Sequence, residues 1–138
     1  NCPPDSLVYT NPVWLEFILS NLIENALFFS GYDRKSVRIV ELIVRVRNGR
    51  LELDIFDNGM GISRDVRTRV FSMFFKGTEN SKGNGLGLYI VYKCVQSFDG
   101  EIHIESEEGQ YTRFLVSIPL HKSAETRSTK PVPNNTHA

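Results

Sequence analysis

Three short stretches carry residue types and spacings suited to chemistry. The first is "FDNGMGI", residues 56–62. Asp57 closes an apolar strand pattern and shares its alternate face with Leu51, Leu53 and Ile55. A carboxylate aimed at a core side needs donors, because burying it without partners is costly. Amides of the following turn supply them in an Asx-type arrangement. The exocyclic amine of a purine would supply them too, with Gly59 and Gly61 letting the backbone approach a flat ring without a Cβ in the way. On these residues alone both readings stand. A dinucleotide fingerprint does not, since its third glycine would fall at Arg64.

The second stretch is "GNGLGL", residues 83–88, directly ahead of a helical pattern. Gly83, Gly85 and Gly87 free backbone amides to curl around an anion, and a helix N-terminus adds its own amides and positive dipole end. This is a phosphate cradle by mechanism, or else a hinge. It is not a Walker loop, because no Lys-Ser or Lys-Thr follows the glycines. Lys76 and Lys82, just before it, either reach terminal phosphate oxygens or meet only water. The third stretch is "SNLIENA", residues 20–26. Asn21 and Asn25 are four apart, hence on one helix face. Ser20, Glu24 and Glu16 widen the stripe, while the rest of the helix is apolar. The stripe faces water or lines a site. Asparagine is a weak choice for a solvated helix face, and its carbonyl is a hard oxygen ligand suited to Mg²⁺ that also holds phosphates.

The elements that must position these groups are legible in the pattern. Asn11-Pro12 starts a long apolar helix over about 12–29, and Gly31 stops it. Val40, Leu42, Val44 and Val46 alternate on one face of a strand. Leu51, Leu53 and Ile55 do the same in the next, with Asn48-Gly49 as the hairpin turn. Ser63 caps a second predicted helix carrying Val66, Val70, Phe71 and Phe74 at helical spacing. A third helix is predicted from about Leu86 to Phe98, ended by Asp99-Gly100. Two strands, "EIHIES" and "TRFLVSIPL", follow around an "EEGQ" turn. The predicted fold class is α+β. It is a two-layer α/β sandwich, with three helices on one face of a mixed, mostly antiparallel sheet.

Composition narrows the function classes. The chain has 138 residues, with 41% hydrophobic and 23% charged residues, and sixteen basic residues balance sixteen acidic ones. That balance gives no electrostatic case for nucleic acid or for direct contact with an anionic membrane. No apolar run is expected to reach the ~20 residues of a membrane span, and "NCPPDSLVYT" lacks the order of a signal peptide. Cys2 and Cys94 are too few for a disulfide framework. Cys94 reads as a buried thiol, and the expected compartment is a reducing cytoplasm. Residues 1–120 read as one domain and 121–138 as a disordered tail or linker. The Asn134 sequon reads as chance, and no internal repeat is present.

The order of the motifs is more specific than any one of them. "NLIENA", "DNGMGI", "VFSMFF", "GNGLGLYIV" and a final strand hairpin resemble the ATP-binding catalytic domain of sensor histidine kinases, in the GHKL superfamily with its Bergerat fold. The likeness covers about residues 6–120. It implies a domain that binds Mg-ATP and transfers the γ-phosphoryl group to a histidine on a separate helical dimerisation domain. A response-regulator receiver domain would be an indirect partner. It implies ATP contacts from Asn21, Asn25, Asp57, Gly59, Gly61, Ile62, Lys76, Lys82, Gly83, Asn84, Gly85, Leu86, Gly87, Leu88 and Thr112. Asn25 would hold Mg²⁺, and Asn21, Asn25 and Lys76 would position the reactants without acid–base work. Residues 75–84 resemble the ATP lid. Phe28 stands where the family often has a basic residue, and Tyr111 where it often has glycine. Asn21 stands where the gyrase-type ATPases have a glutamate base, which favours transfer over hydrolysis. His103, His121 and His137 lie in no acceptor-like helix, so the acceptor is expected outside this chain. The rival expectations are a GHKL ATPase with a clamping lid and a degenerate nucleotide-binding regulatory module.

Overall fold

The computed structural model describes residues 11–31, 37–72 and 86–120. Helix α1 runs Pro12–Ser30, and the hairpin β1 (Val40–Arg47) and β2 (Arg50–Asp57) follows. A single helical turn, α2 (Arg64–Arg67), comes next. Then come α3 (Gly87–Ser97), β3 (Glu101–Glu107) and β4 (Tyr111–Pro119).

Local chemistry sets the boundaries. The Asn11 side chain accepts from the Val13 amide at 3.1 Å, and Pro12 opens α1. Asn48 and Gly49 both take positive φ, 51° and 70°, as the tight turn between β1 and β2 requires. Asp99 (φ 56°) ends α3, and the Gly100 amide bonds back to Val95.

The sheet order is β1-β2-β4-β3, and every described pair is antiparallel. Among the described residues the sheet is thus antiparallel throughout, in keeping with the mostly antiparallel sheet that the sequence predicts. Its covered face carries Leu51, Leu53, Ile55, Phe114, Val116 and Ile118, all buried. Ile18, Leu22 and Ala26 of α1 and Val91, Cys94 and Val95 of α3 complete the core. At ~25 cal/mol per Å² of apolar area, this core is what holds α1 and α3 on the sheet.

Two expectations change. The second helix was expected to extend through Phe74, but helical geometry ends at Arg67. Beyond it the chain tightens into turns with Arg69→Val66 and Ser72→Arg69 backbone bonds, each spanning three residues. These turns bury Val70 and swing Phe71 onto Tyr92, stacked at 5.3 Å, and edge-on to Phe114. The α2 turn itself has no fully buried residue, so among the described residues α1 and α3 supply the helical cover of the sheet. Helix α1, with 19 residues, is by length and composition long and apolar enough to cross a membrane, contrary to expectation. Its Ile18, Leu22 and Ala26 are instead packed in the domain core.

Candidate functional site

Asp57 ends β2 on the covered face and is 2% exposed. Its neighbour across β4 is Thr112, 4% exposed, and Thr112 pairs in turn with Ser106 of β3. Val40, Asp57, Thr112 and Ser106 thus form one cross-sheet row. Three polar residues close the end of a face that is otherwise apolar. Asp57 Oδ1 accepts from the Gly59 amide at 3.0 Å, so the Asx-type turn exists. A carboxylate has acceptor capacity well beyond one bond, so that turn and a ligand contact are compatible.

The two glycines of this loop serve the chain itself. A Cβ on Gly59 would stand 2.6 Å from the Phe29 carbonyl oxygen at the end of α1. Gly61 has φ 66°, and a Cβ there would collide with the Glu107 carbonyl. The expectation that these glycines admit a flat ring has no need to be invoked for their presence. They let residues 58–62 lie between α1 and the β3–β4 turn. That seat is fixed by Gly109 N–H donating to Met60 at 2.7 Å and Ile62 N–H donating to Ser106 Oγ at 2.7 Å. On the other side, the Asn58 amide donates to Val37 and its carbonyl accepts from Ile39.

Asn21 and Asn25 are both half-buried, whereas Glu16, Ser20 and Glu24 of the same stripe are exposed. The asparagines therefore sit on the inward edge of the stripe. Asn21 Nδ2 donates to the Phe17 carbonyl at 2.9 Å. Its Oδ1 faces Gly87 so closely that a Cβ there would approach to 2.8 Å. Helix α1 thereby links both glycine stretches, Phe29 touching the first and Asn21 the second. Asn25 lies midway on the same stripe. The separation of residues 21 and 29 is about 12 Å at 1.5 Å per residue, the scale of an extended nucleoside triphosphate.

Leu86 caps α3 with no side-chain hydrogen bond, and Gly87 and Leu88 form its first turn. Lys76, Lys82, Gly83, Asn84 and Gly85, with the lid stretch 75–84, lie outside the described residues. Phe28, in place of a basic residue, packs edge-to-face on Phe29 at 5.0 Å. Tyr111 does not intrude on the polar row. Strand alternation sends it to the open face, where it stacks on Phe56 at 5.9 Å, and Arg113 lies over the Phe56 ring. Thr112 is the second residue of β4. Ser106 was not singled out from the sequence. Its signal was its phase with Ile102 and Ile104, which puts a hydroxyl on the apolar face.

Among the described residues no cluster of three His, Cys, Asp or Glu could hold a metal. A Mg²⁺ ion held by one asparagine oxygen, phosphates and water fits this donor set.

Known proteins with these features are numerous. RcsC, a sensor histidine kinase of Escherichia coli, is 36% identical over 124 residues, covering 86% of this chain and 12% of its own length. AruS, a sensor histidine kinase of Pseudomonas aeruginosa, is 34% identical over 122 residues, with the same coverage of both chains. The chain thus spans about an eighth of these relatives. The crystal structure of full-length ShkA in complex with AMPPNP superposes with a TM-score of 0.71 at 27% identity, over 84% of this chain and 23% of that one. Residues 10–122 match the family described as histidine kinase-, DNA gyrase B- and HSP90-like ATPase, and the chain belongs to that family.

Proposed function

We propose that this domain binds Mg-ATP and delivers the γ-phosphoryl group to a histidine on a separate helical dimerisation domain of a two-component sensor kinase. The observation that carries the reading is the span of α1. It joins the buried Asp57 loop to the start of α3, with Asn25 between them. In this reading Asp57 accepts from the 6-amino group of adenine, while Thr112 lies beside it. The amides of Leu86, Gly87 and Leu88 meet phosphate, with Gly83, Asn84, Gly85, Lys76 and Lys82 expected to complete the cradle. Asn25 holds Mg²⁺ and Asn21 orients the phosphates. The bound ion neutralises phosphate charge, and the protein's share of the work is positioning.

The acceptor imidazole brings its own nucleophile, so no general base is required. Asn21 cannot serve as one toward water, and that favours transfer over hydrolysis. The receiver domain of a response regulator would take the phosphoryl group next. The domain would work in the cytoplasm, whatever anchors the parent protein.

The test is a labelled-ATP assay of this chain with and without the parent's acceptor domain, followed by acid treatment. Acid-labile label on the acceptor domain is the expected result, with little phosphate released by the chain alone. Rapid phosphate release without the acceptor would make the domain an ATPase. Tight ATP binding with no transfer to the acceptor would make it a regulatory module.

A further inference from the structure

Ser106 is the hub of a hydrogen-bond cluster at the end of the polar row. Its Oγ lies 2.7 Å from the Ile62 amide, 2.6 Å from the Tyr111 carbonyl oxygen and 3.1 Å from Thr112 Oγ1. The proton directions follow from chemistry. An amide N–H only donates, so Ile62 gives its proton to Ser106. A carbonyl only accepts, so the single Ser106 proton goes to Tyr111. The remaining lone pair of Ser106 then takes the Thr112 proton. Ser106 is fully satisfied with two bonds accepted and one donated.

The consequence falls on Thr112. Its proton is committed to Ser106, so it turns only lone pairs toward the neighbouring Asp57. The carboxylate beside it also only accepts. The end of the row is therefore a floor of acceptors.

We infer that Ser106 is a positioning residue for base specificity: by fixing Thr112 as an acceptor, it makes the pocket select a purine whose 6-position donates hydrogen bonds and reject one whose 6-position is a carbonyl. This rests on the reading that Asp57 meets the base. Ser106 touches no ligand in this account. It acts through the proton of Thr112, and through Ile62 it also holds the loop that carries Gly59 and Gly61.

A structural role alone would weaken all nucleotides equally. The specificity role changes a ratio. The experiment measures calorimetric affinities of the whole chain for ATP and for inosine triphosphate, whose 6-oxo group replaces the amine. The proteins are the parent chain, Ser106→Ala and Ser106→Thr, each checked by thermal melting. The parent chain prefers ATP. In Ser106→Ala the Thr112 proton is released, either to a 6-oxo group or to the Asp57 carboxylate that would otherwise accept the 6-amine; in both cases the preference narrows by about threefold to tenfold, the worth of one neutral hydrogen bond. Ser106→Thr keeps the hydroxyl and keeps the ratio. If Ser106→Ala does not fold, Ser106→Cys serves, because a thiol is a weak donor and acceptor. A folded Ala or Cys variant with the parent's ratio overturns the inference and leaves the Asp57 reading standing. Equal affinity of the parent chain for the two nucleotides removes the Asp57 reading itself.

Discussion

Replacing Gly87 with alanine tests whether α1 and α3 meet in order to aim Asn21. The new Cβ would lie 2.8 Å from Asn21 Oδ1, well inside contact distance, and the next nearest atom, Asn21 Cγ, is at 3.9 Å. The side chain of Asn21 must therefore rotate away, and the backbone need not. Rotation breaks the 2.9 Å bond to Phe17, a loss of about 0.5–1.5 kcal/mol net. Alanine returns up to about 1 kcal/mol of helix propensity over glycine. The two nearly cancel, so the melting temperature should move by less than about 5 °C. Nucleotide affinity should not be spared. In the proposed site a misaimed Asn21 forfeits a hydrogen bond to a charged group, about 1.5–3 kcal/mol, or roughly tenfold to a hundredfold in Kd. Calorimetry with Mg-ATP on Gly87→Ala, Asn21→Ala and the double variant separates the causes. Once Asn21 is already alanine, Gly87→Ala should cost little more. An equal affinity loss in both backgrounds would refute the argument, because the added methyl would then act on something other than Asn21.

Asp57→Ala should weaken ATP binding by about tenfold to a hundredfold with the fold retained; unchanged affinity in calorimetry would remove Asp57 from base recognition. Gly61→Ala adds left-handed strain to a collision with the Glu107 carbonyl, and denaturant midpoints should report a loss of about 2–5 kcal/mol. Burial pushes the Cys94 thiol above its ordinary value of 9.0, so the folded state holds that proton more tightly than the unfolded one. This stabilisation is whole below about pH 9 and is lost as pH rises through the raised value. Urea midpoints should therefore fall more steeply above pH 9 in the parent chain than in Cys94→Ala.

The strongest sequence signals were those in which one residue type answers one backbone demand. Asn48-Gly49 announced two consecutive positive φ values, and the turn has them. The phase of Asp57 with Leu51, Leu53 and Ile55 announced an inward acid, and the residue is buried. The second helix misled because Val66, Val70 and Phe71 satisfy a helical period and a run of tight turns alike. Which one forms is settled by Tyr92 and Phe114, residues remote in sequence that receive Phe71. Gly59 and Gly61 were legible only in part. Their presence was legible, but the neighbours that demand them, Phe29 and Glu107, belong to elements on either side of the loop. Ser106 shows the same limit. Its phase was visible in "EIHIES", yet its value comes from Ile62 and Thr112, which only the β3–β4 register and the docked loop bring to it.

The strand order has a consequence for how such a domain comes into being. The central pair of the sheet joins β2 to β4, the last strand among the described residues. Hairpins β1–β2 and β3–β4 form from near neighbours, but Asp57 meets Thr112 only after a long loop closes around α2 and α3. During synthesis from the N-terminus, the acid, both asparagines and the glycine stretches are all made before the Asp57–Thr112–Ser106 row can exist. In the proposed site, nucleotide thus meets no complete base pocket until that row has formed. ATP binding becomes a report that the final strand has docked, and the stabilisation that ligand confers is shared by the whole cooperative unit rather than by one of its halves.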